Sequence, residues 1–254
     1  MAERTSYEPG AFCWVGLATS DPDGAQAFYA RLFAWTPEEL PAGEAGYYTL
    51  LRRDAQEVAI LYRQTAEARA AQAPPHWTSY ISVADADAVA ARAGELGGAA
   101  VFREPFDVPG EGRVAAIRDP AGAIVSLWQP YARIGARLVD DMGALCWIEL
   151  RTTDVEACKS FYGALLDWEY ASDERGYTRI GNAGRPNGGM RHHGGPPHWL
   201  PYFGVEDSAA AAGQAERLGG RTLAAPEDTT IGRSAMLADP QRAAFGVLDR
   251  GVGQ

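Results

Sequence analysis

The sequence predicts an α+β protein that is built from two tandem copies of one module. The main observation is a repeat, because the segment Phe-Cys-Trp-Val-Gly-Leu at 12–17 returns 133 positions later as Leu-Cys-Trp-Ile-Glu-Leu at 145–150. The segment Pro-Pro-His-Trp at 74–77 returns at 196–199. Equivalent segments keep their order while the loops between them change in length, which is where insertions are tolerated. A whole module has therefore been duplicated. Each module in turn consists of two halves, in which strands and a helix follow in the same order.

The first half of module one begins with a strand at 12–18, where aromatic and branched residues alternate. Asp21 then caps a helix of about a dozen residues. This helix carries one apolar stripe, formed by Ala25, Phe28, Tyr29, Leu32 and Phe33. Short strands near 47–51 and 58–62 complete this half.

The second half repeats the order with a strand at 77–83 and a helix that begins at Asp85 or Asp87. The pair Gly97-Gly98 ends this helix, since glycine is common at helix C-termini. Three strands are predicted after it, near 100–103, 113–118 and 124–128. Module two follows the same order, with helices near 154–166 and 207–218. Each half of a module thus has the order strand-helix-strand-strand, in places with one more strand, and each module contains two such halves.

The two modules are predicted to span residues 1–136 and 137–254. The boundary lies in a linker near 131–141, which follows the last strand of module one and precedes the next tryptophan-bearing strand. Boundaries drawn from sequence shift by a few residues.

Composition and charge limit the classes of partner. The chain of 254 residues carries a net charge of −10, which argues against nucleic acid or an anionic membrane as a partner. A chain of this size buries roughly 70% of its unfolded surface, so it needs no disulfide or metal to fold. We find neither a signal-peptide core nor an apolar run of about 20 residues, and we expect a cytoplasmic protein.

The sequence contains three cysteines: Cys13, Cys146 and Cys158. Their odd number and their spacing indicate reduced thiols inside a cell. Cys13 and Cys146 lie at equivalent positions in apolar strands, so we interpret them as small buried hydrophobic residues and not as reactive thiols.

Several motifs stand at equivalent places in the two modules, among them Asp-Pro-x-Gly at 119–122 of module one and, in module two, Trp-x-Glu-Leu at 147–150, Thr-x-Asp at 152–154 and Phe-Tyr-x-x-Leu-x-x-Trp at 161–168. With His-Trp, Leu-Gly-Gly and Gly-Arg, they resemble the glyoxalase / bleomycin-resistance / extradiol dioxygenase (vicinal oxygen chelate) superfamily. More narrowly, the chain is similar to an actinobacterial tandem double-module branch labelled glyoxalase-like or hydroxylase. The resemblance implies four βαβββ units in two modules, each module an open cup-shaped sheet with flanking helices.

The resemblance also implies a divalent metal held in each cup by His, Glu or Gln. The matching positions are Gly16, Thr78 and Ser126 in module one, and Glu149, Leu200 and Gly246 in module two. Glu149 alone has a side chain of a ligand type, and one carboxylate does not hold a transition metal against water. We therefore expect no cofactor, and the sequence confines any divalent metal (Fe, Ni, Mn or Zn) to module two.

The histidines allow two interpretations, a displaced metal site and a structural role. His198 is predicted to face the cup near its rim, where Glu149 and a loop histidine, His192 or His193, would complete a triad. His76 occupies the same place in module one, where no carboxylate faces it. A shared structural role, with the ring bonded to the backbone, is the simpler interpretation.

Without a metal, the cups remain candidate small-molecule sites, because apolar walls with a few polar groups are typical of such pockets. The predicted ligand-binding residues are aromatic or polar side chains assigned to the inner faces: Trp14, Thr78, Tyr80, Arg113, Ser126, Trp128, Trp147, His193, Tyr202 and Arg233. Trp77 and Trp199 alternate to the opposite face, where they are expected to pack between sheets or modules.

Three functions remain open from the sequence. The first is a small-molecule-binding protein of the sequestration or resistance type, which binds an apolar or aromatic metabolite or antibiotic. The alternative is a lyase, isomerase or oxygenase acting on a small carbonyl or aromatic metabolite, with Glu149 and His198 as the catalytic pair. An interaction scaffold with unused cups is the third. A monomer or homodimer is expected, since the duplication supplies module pairing within one chain.

Overall fold

Each predicted module forms its own mixed sheet, with helices packed against it. The structure, a computed structural model, describes residues 3–41, 46–101 and 104–250. Among the described residues, the first sheet contains nine strands and the second contains eight. The predicted α+β class and the tandem modules are confirmed.

Module one contains the following elements in chain order: β1 (Phe12–Thr19), α1 (Pro22–Phe33), β2 (Thr36–Pro41), β3 (Tyr47–Arg53), β4 (Gln56–Arg63), α2 (Ala66–Ala70), β5 (His76–Ser82), α3 (Ala86–Glu95), β6 (Ala99–Ala100), β7 (Phe106–Val108), β8 (Gly112–Arg118) and β9 (Ile124–Pro130). The equivalent elements of module two are β10 (Leu145–Thr152), α4 (Val155–Leu166), β11 (Glu169–Ser172), β12 (Thr178–Asn182), β13 (Arg185–His192), β14 (His198–Val205), α5 (Ser208–Arg217), β15 (Arg221–Thr229), β16 (Gly232–Ala238) and β17 (Ala244–Asp249).

The strand order shows how two half-modules make one sheet. The first sheet runs β2-β3-β4-β1-β5-β9-β8-β6, with β7 paired to β8, and the second runs β11-β12-β13-β10-β14-β17-β16-β15. In the centre, β1 is antiparallel to β5 and β10 is antiparallel to β14. On either side of the centre, β4 runs parallel to β1 and β9 runs parallel to β5. Each half-module is thus one arm of a sheet, as the βαβββ units implied.

The four longer helices begin at an aspartate whose carboxylate accepts backbone N–H bonds of the first turn. These N-caps are Asp21, Asp85, Asp154 and Asp207. The open choice at the second helix is resolved in favour of Asp85, while Asp87 lies in the first turn. A carboxylate in this position also opposes the positive end of the helix dipole.

The short elements β2, α2 and β7 were not predicted. They consist largely of exposed residues, so no apolar periodicity marks them in the sequence. The strand expected near 100–103 is observed at Ala99–Ala100, and residues 102–103 lie outside the described residues. The predicted boundary at 136/137 falls between β9 and β10 and stays a prediction.

The modules pack through their helix-bearing faces, where one large apolar core includes residues of both. Helix α1 contacts α5, and α3 contacts α4. Trp77 packs on Phe203 of module two with a ring separation of 5.2 Å, and Trp199 packs on Phe12 of module one at 5.0 Å. The prediction that both tryptophans pack between sheets or modules is confirmed, and the contacts are between modules.

Hydrogen bonds cross this interface in symmetric pairs. The Tyr29 hydroxyl donates to Asp239 at 3.2 Å, and the Tyr162 hydroxyl donates to Asp119 at 3.1 Å. Both aspartates come from the Asp-Pro hairpin turns that recur in the sequence. Each module therefore inserts one buried carboxylate beneath a helix of the other. Within the described part of the chain, no helix is long and apolar enough to span a membrane.

Candidate ligand site in the second module

The cup of module one is filled by its own aromatic side chains. Trp14, Tyr80 and Trp128 are buried, and the Trp14 ring lies 5.6 Å from Trp128 and 6.2 Å from Tyr80. A Cβ on Gly16, at the first ligand position, would lie 3.0 Å from Ile60 and 3.1 Å from Tyr80. Side chains thus occupy the space that a metal ligand would need.

The polar residues predicted for the first cup separate onto two faces. Ser126 is buried on the cup side of β9, opposite Tyr80, and Thr78 pairs with Gly16 across β1 and β5. Arg113 instead donates to Asp87 of α3 at 2.5 and 2.9 Å, on the helix-bearing face. Its assignment to the cup is corrected, because the alternation of β8 places Val114 inward.

Arg233 requires the same correction in module two. Its neighbours Ser234 and Met236 line the cup, whereas Arg233 lies near Asp207, the N-cap of α5, and 3.6 Å from Asp228. Sequence reasoning assigned the recurring Gly-Arg motif to the cups. Successive strand residues alternate between faces, and the side of the sheet is decided by the register of β16.

The cup of module two contains an open cavity of about 330 Å³. Strands from both half-modules line it. Glu149 of β10 forms part of the wall with a side chain only 2% exposed, and Tyr202 of β14 lies beside it. Ile231 and Met236 supply an apolar side. This is the size class of pockets that hold small molecules.

Two glycines make room for tyrosines beside Glu149. Gly189 pairs with Glu149 across β10 and β13, and a Cβ there would overlap the Tyr177 ring. Gly246, at the third ligand position, pairs with Tyr202, and a Cβ there would overlap the Tyr202 ring. Loss of a side chain at the ligand position therefore lets the tyrosine ring lie against the floor of the cup.

Glu149 forms an ion pair with Arg151, two residues further along the same strand. The Arg151 Nε donates to Glu149 Oε1 at 2.9 Å, and the Tyr202 hydroxyl donates to the same oxygen at 3.3 Å. Arg151 Nη2 also donates to the Tyr202 hydroxyl at 3.2 Å. On the other side, Trp147 Nε1 donates to the Tyr177 hydroxyl at 2.8 Å. Hydrogen bonds thus join Glu149, Arg151 and Tyr202 into one cluster that contains one charge of each sign.

Burial and the Glu149 charge together decide the protonation of the neighbouring groups. Burial raises the pKa of Tyr202 and of Tyr177, and the Glu149 carboxylate raises both further. Burial lowers the pKa of Arg151, but Glu149 and Tyr202 together raise it by more, so the net shift is upward. Both phenols are therefore neutral donors, and Arg151 stays a cation at neutral pH.

The histidines lie beside this cluster. His198 is half-buried, and its Nδ1 lies 2.9 Å from the carbonyl oxygen of Pro196; His76 makes the same contact with Pro74 at 3.0 Å. This shared contact agrees with a structural role at the rim. Burial lowers the pKa of His198, and the nearby Arg151 charge lowers it further. His193 stacks edge-on at 5.6 Å from His198, while His192 lines the cavity.

A metal of the family type does not fit the residues present. Its ligand positions in module two hold Glu149, the apolar Leu200 and Gly246. The Glu149 carboxylate already binds a guanidinium, so a second cation would have to displace Arg151. Across the described ranges, no group of three or more His, Cys, Asp or Glu side chains could hold a metal ion.

Sequence reasoning missed Arg151 and Tyr177. A signal for Arg151 was available, because residues two apart on a strand share a face and Glu149 was already assigned to the cup. For Tyr177 the signal was indirect, since Gly189 within a strand indicates close approach by another group.

Comparisons with known proteins identify the class. Residues 12–127 match the model of the glyoxalase / bleomycin resistance protein / dioxygenase superfamily, and residues 147–248 match that of a glyoxalase-like domain. The chain belongs to this superfamily and carries two of its domains in tandem.

Two relatives are similar to this chain over almost their full length. CFP32 of Mycobacterium tuberculosis, whose name assigns it provisionally to the glyoxylases, is 37% identical over 98% of both chains. The anthracycline biosynthesis protein DnrV of Streptomyces peucetius is 34% identical over 96% of this chain and 95% of its own.

Solved structures share the fold at low sequence identity. The Mn(II)-bound glyoxalase from Novosphingobium aromaticivorans has a TM-score of 0.66 at 16% identity, over 97% of this chain and 86% of its own. The 2,3-dioxygenase LapB from Pseudomonas sp. KL28 has a TM-score of 0.65 at 11% identity, over 99% and 94%.

Proposed function

We propose that the chain binds one small, partly aromatic molecule in the cup of module two, without a metal, while module one serves as a structural partner. The observation that carries this proposal is the buried Glu149–Arg151 pair, which lines a cavity of about 330 Å³. The fitting ligands are aromatic metabolites or antibiotics, and the matching roles are sequestration, resistance or carriage.

Energetics support a functional reason for the pair. A buried ion pair usually loses as much through desolvation as it gains by attraction, so it is weak evidence for stability. Module one has Gly16 and Ala18 at the equivalent positions and forms the same sheet without the pair. The charges are therefore not needed for the fold, and a ligand is the simplest reason for them.

The walls of the cup suit a ring. Ile231 and Met236 give the cavity apolar surface, and Tyr202 gives it an aromatic ring. Aromatic pairs gain about 0.5–1.5 kcal/mol beyond area burial. The name of the relative DnrV assigns that protein to anthracycline biosynthesis. Its name supports, for this chain, a ligand of the secondary-metabolite kind.

A cavity-filling variant tests the proposal. Ala224 of the edge strand β15 lines the cavity, and the neighbouring Ala225 is exposed, so Ala224→Trp and Ala225→Trp form a matched pair. A library of small aromatic acids, phenols and ketones is screened by ligand-observed NMR. We expect binders for the wild type and Ala225→Trp that are lost in Ala224→Trp. Binders unaffected by Ala224→Trp would refute the assignment to this cup.

An enzyme is the second candidate, because a carboxylate that is 2% exposed lines a cavity, as a general base acting on a small carbonyl compound would. The relative CFP32 bears a glyoxylase name. The test is hydrogen–deuterium exchange at the carbon next to the carbonyl of hydroxyacetone and related α-hydroxy ketones. Glu149→Gln should lower the rate by about 100-fold or more. His198→Ala tests its role as second proton carrier, and wild-type exchange no faster than buffer would reject the enzyme.

A further inference from the structure

We propose that Arg151 anchors the ligand through a carbonyl or carboxylate oxygen, and this inference rests on the proposed function. The side chain of Arg151 is 12% exposed and lines the cavity. Its position therefore brings a fixed cation, carrying several N–H donors, to the surface that a ligand would touch.

The hydrogen bonds of Arg151 show which of its edges is free. A guanidinium has a side edge formed by Nε and Nη2, and an end edge formed by Nη1 and Nη2. The side edge is used, because Nε donates to Glu149 and Nη2 donates to the Tyr202 hydroxyl. Within residues 3–41, 46–101 and 104–250, the end edge meets no acceptor.

The free edge selects the chemistry of the ligand. It contains donors only, so it binds an acceptor and rejects an ammonium group. Two parallel N–H groups fit the two oxygens of a carboxylate, or a single carbonyl oxygen shared between them. The side-edge bonds hold the guanidinium plane in place. Binding of a ligand therefore costs little side-chain entropy at Arg151.

The surrounding charges admit both forms of the oxygen group. Arg151 and Glu149 cancel each other. The other charged side chains of the lining are Arg175, Arg191, Glu227 and Asp228, and Asp228 also lies 3.6 Å from Arg233. A carboxylate and a neutral carbonyl group on a small ring both present an sp² oxygen to Arg151. A charged probe and a neutral probe distinguish the two groups.

Three matched probes test the inference: benzoate, benzamide and benzylamine. Binding is followed by the Nε–H resonance of Arg151 in ¹⁵N-labelled protein, identified by its disappearance in Arg151→Lys. We expect benzoate or benzamide to shift this resonance and bind, with benzylamine at least about tenfold weaker because a charge-assisted bond is replaced by repulsion. The tighter of the two oxygen probes shows whether the natural group is charged.

Variants separate anchoring from a merely structural role. Arg151→Gln should weaken the oxygen probe at least about tenfold, and Arg151→Lys should keep the preference over benzylamine with lower affinity. Glu149→Gln/Arg151→Gln removes both charges together, so it keeps the test valid if the single variant unfolds. Arg185→Gln, an exposed arginine of β13, is the control and should bind like the wild type.

The outcomes distinguish this inference from the proposed function. Benzylamine binding as tightly as benzoate and benzamide, or wild-type affinity for the oxygen probes in the double variant, would overturn it. If library binders still depend on Ala224, the cup remains a ligand site and only the role of Arg151 fails. If neither benzoate nor benzamide binds, the inference fails, and the library screen decides the proposed function separately.

Discussion

Glu149 and Arg151 form an ion pair inside the cup, and each charge is compensated there by the other. Glu149 is 2% exposed and Arg151 12% exposed, and the Tyr202 hydroxyl bonds to both. A charge left alone in such surroundings has lost water without a replacement. Removing one partner is therefore a different experiment from removing both.

Single removal should be costly and double removal should be mild. We expect Glu149→Leu to destabilise the protein by about 3–5 kcal/mol, because Arg151 is left as an uncompensated buried charge. Glu149→Leu/Arg151→Leu should recover most of this loss, since apolar residues often replace a buried pair at no net cost. Urea unfolding measures both. A double variant as unstable as the single one would contradict the argument.

The cysteines give a second prediction at this scale. All three are buried, and burial raises the pKa of Cys146 and of Cys158 to about 12, with Cys13 also raised. Only the thiolate reacts, so none should react with Ellman's reagent at pH 8 in the folded protein. The control is the same protein in denaturant, which should release three equivalents. Fast reaction in the native state would refute this.

At the scale of the element, the helices begin where a single carboxylate replaces missing backbone partners. Asp154 accepts the N–H of Ala157 at 3.0 Å at the start of α4, directly after the site strand β10. The cap thus fixes where the chain leaves the sheet that carries Glu149.

Removing this cap should cost stability without altering the cup. We expect Asp154→Ala to destabilise the protein by about 1 kcal/mol, because one orphan donor of the first turn loses its partner. Asp154→Asn keeps the acceptor and should lose little. Thermal or urea unfolding measures the difference. Equal loss in both variants would show that the charge, and not the hydrogen bond, matters.

At the scale of the whole molecule, the two modules hold each other through exchanged carboxylates. Burial raises the pKa of Asp239 to about 6, although backbone N–H groups and the Tyr29 hydroxyl lower it in part. Asp119 is shifted in the same direction for the same reason. The two carboxyls therefore link the module interface to pH.

The sign of this pH dependence follows from the raised pKa. The folded state binds the Asp239 proton more tightly than the unfolded state, whose pKa is about 3.9. Its contribution to stability is complete below that value and is lost as pH rises through about 6. We expect Asp239→Asn to flatten the decline of unfolding free energy between pH 4 and 7. If the unfolding free energy of Asp239→Asn falls with pH as steeply as that of the wild type, other groups cause the decline.

The sequence by itself determined the duplication and the order of the longer strands and helices. These follow from local periodicity, capping and the repeat, which need no knowledge of distant contacts. The resemblance to the superfamily then indicated that Glu149 is the one side chain of a ligand type at the implied metal positions. The alternation of each strand was readable, but its register against neighbours was not, and this is why Arg113 and Arg233 were assigned to the wrong face.

Only the tertiary structure decided which cup is open. Trp14 and Trp147 are equivalent in sequence, yet the first is buried among aromatic rings, whereas the second donates a hydrogen bond to Tyr177, which lines the open cavity. The difference depends on which side chains meet across strands: Tyr80 and Ile60 over Gly16, but Tyr202 over Gly246. Packing in three dimensions sets that outcome, because the volume left in a cup is the small remainder between the sheet and the side chains that fill it.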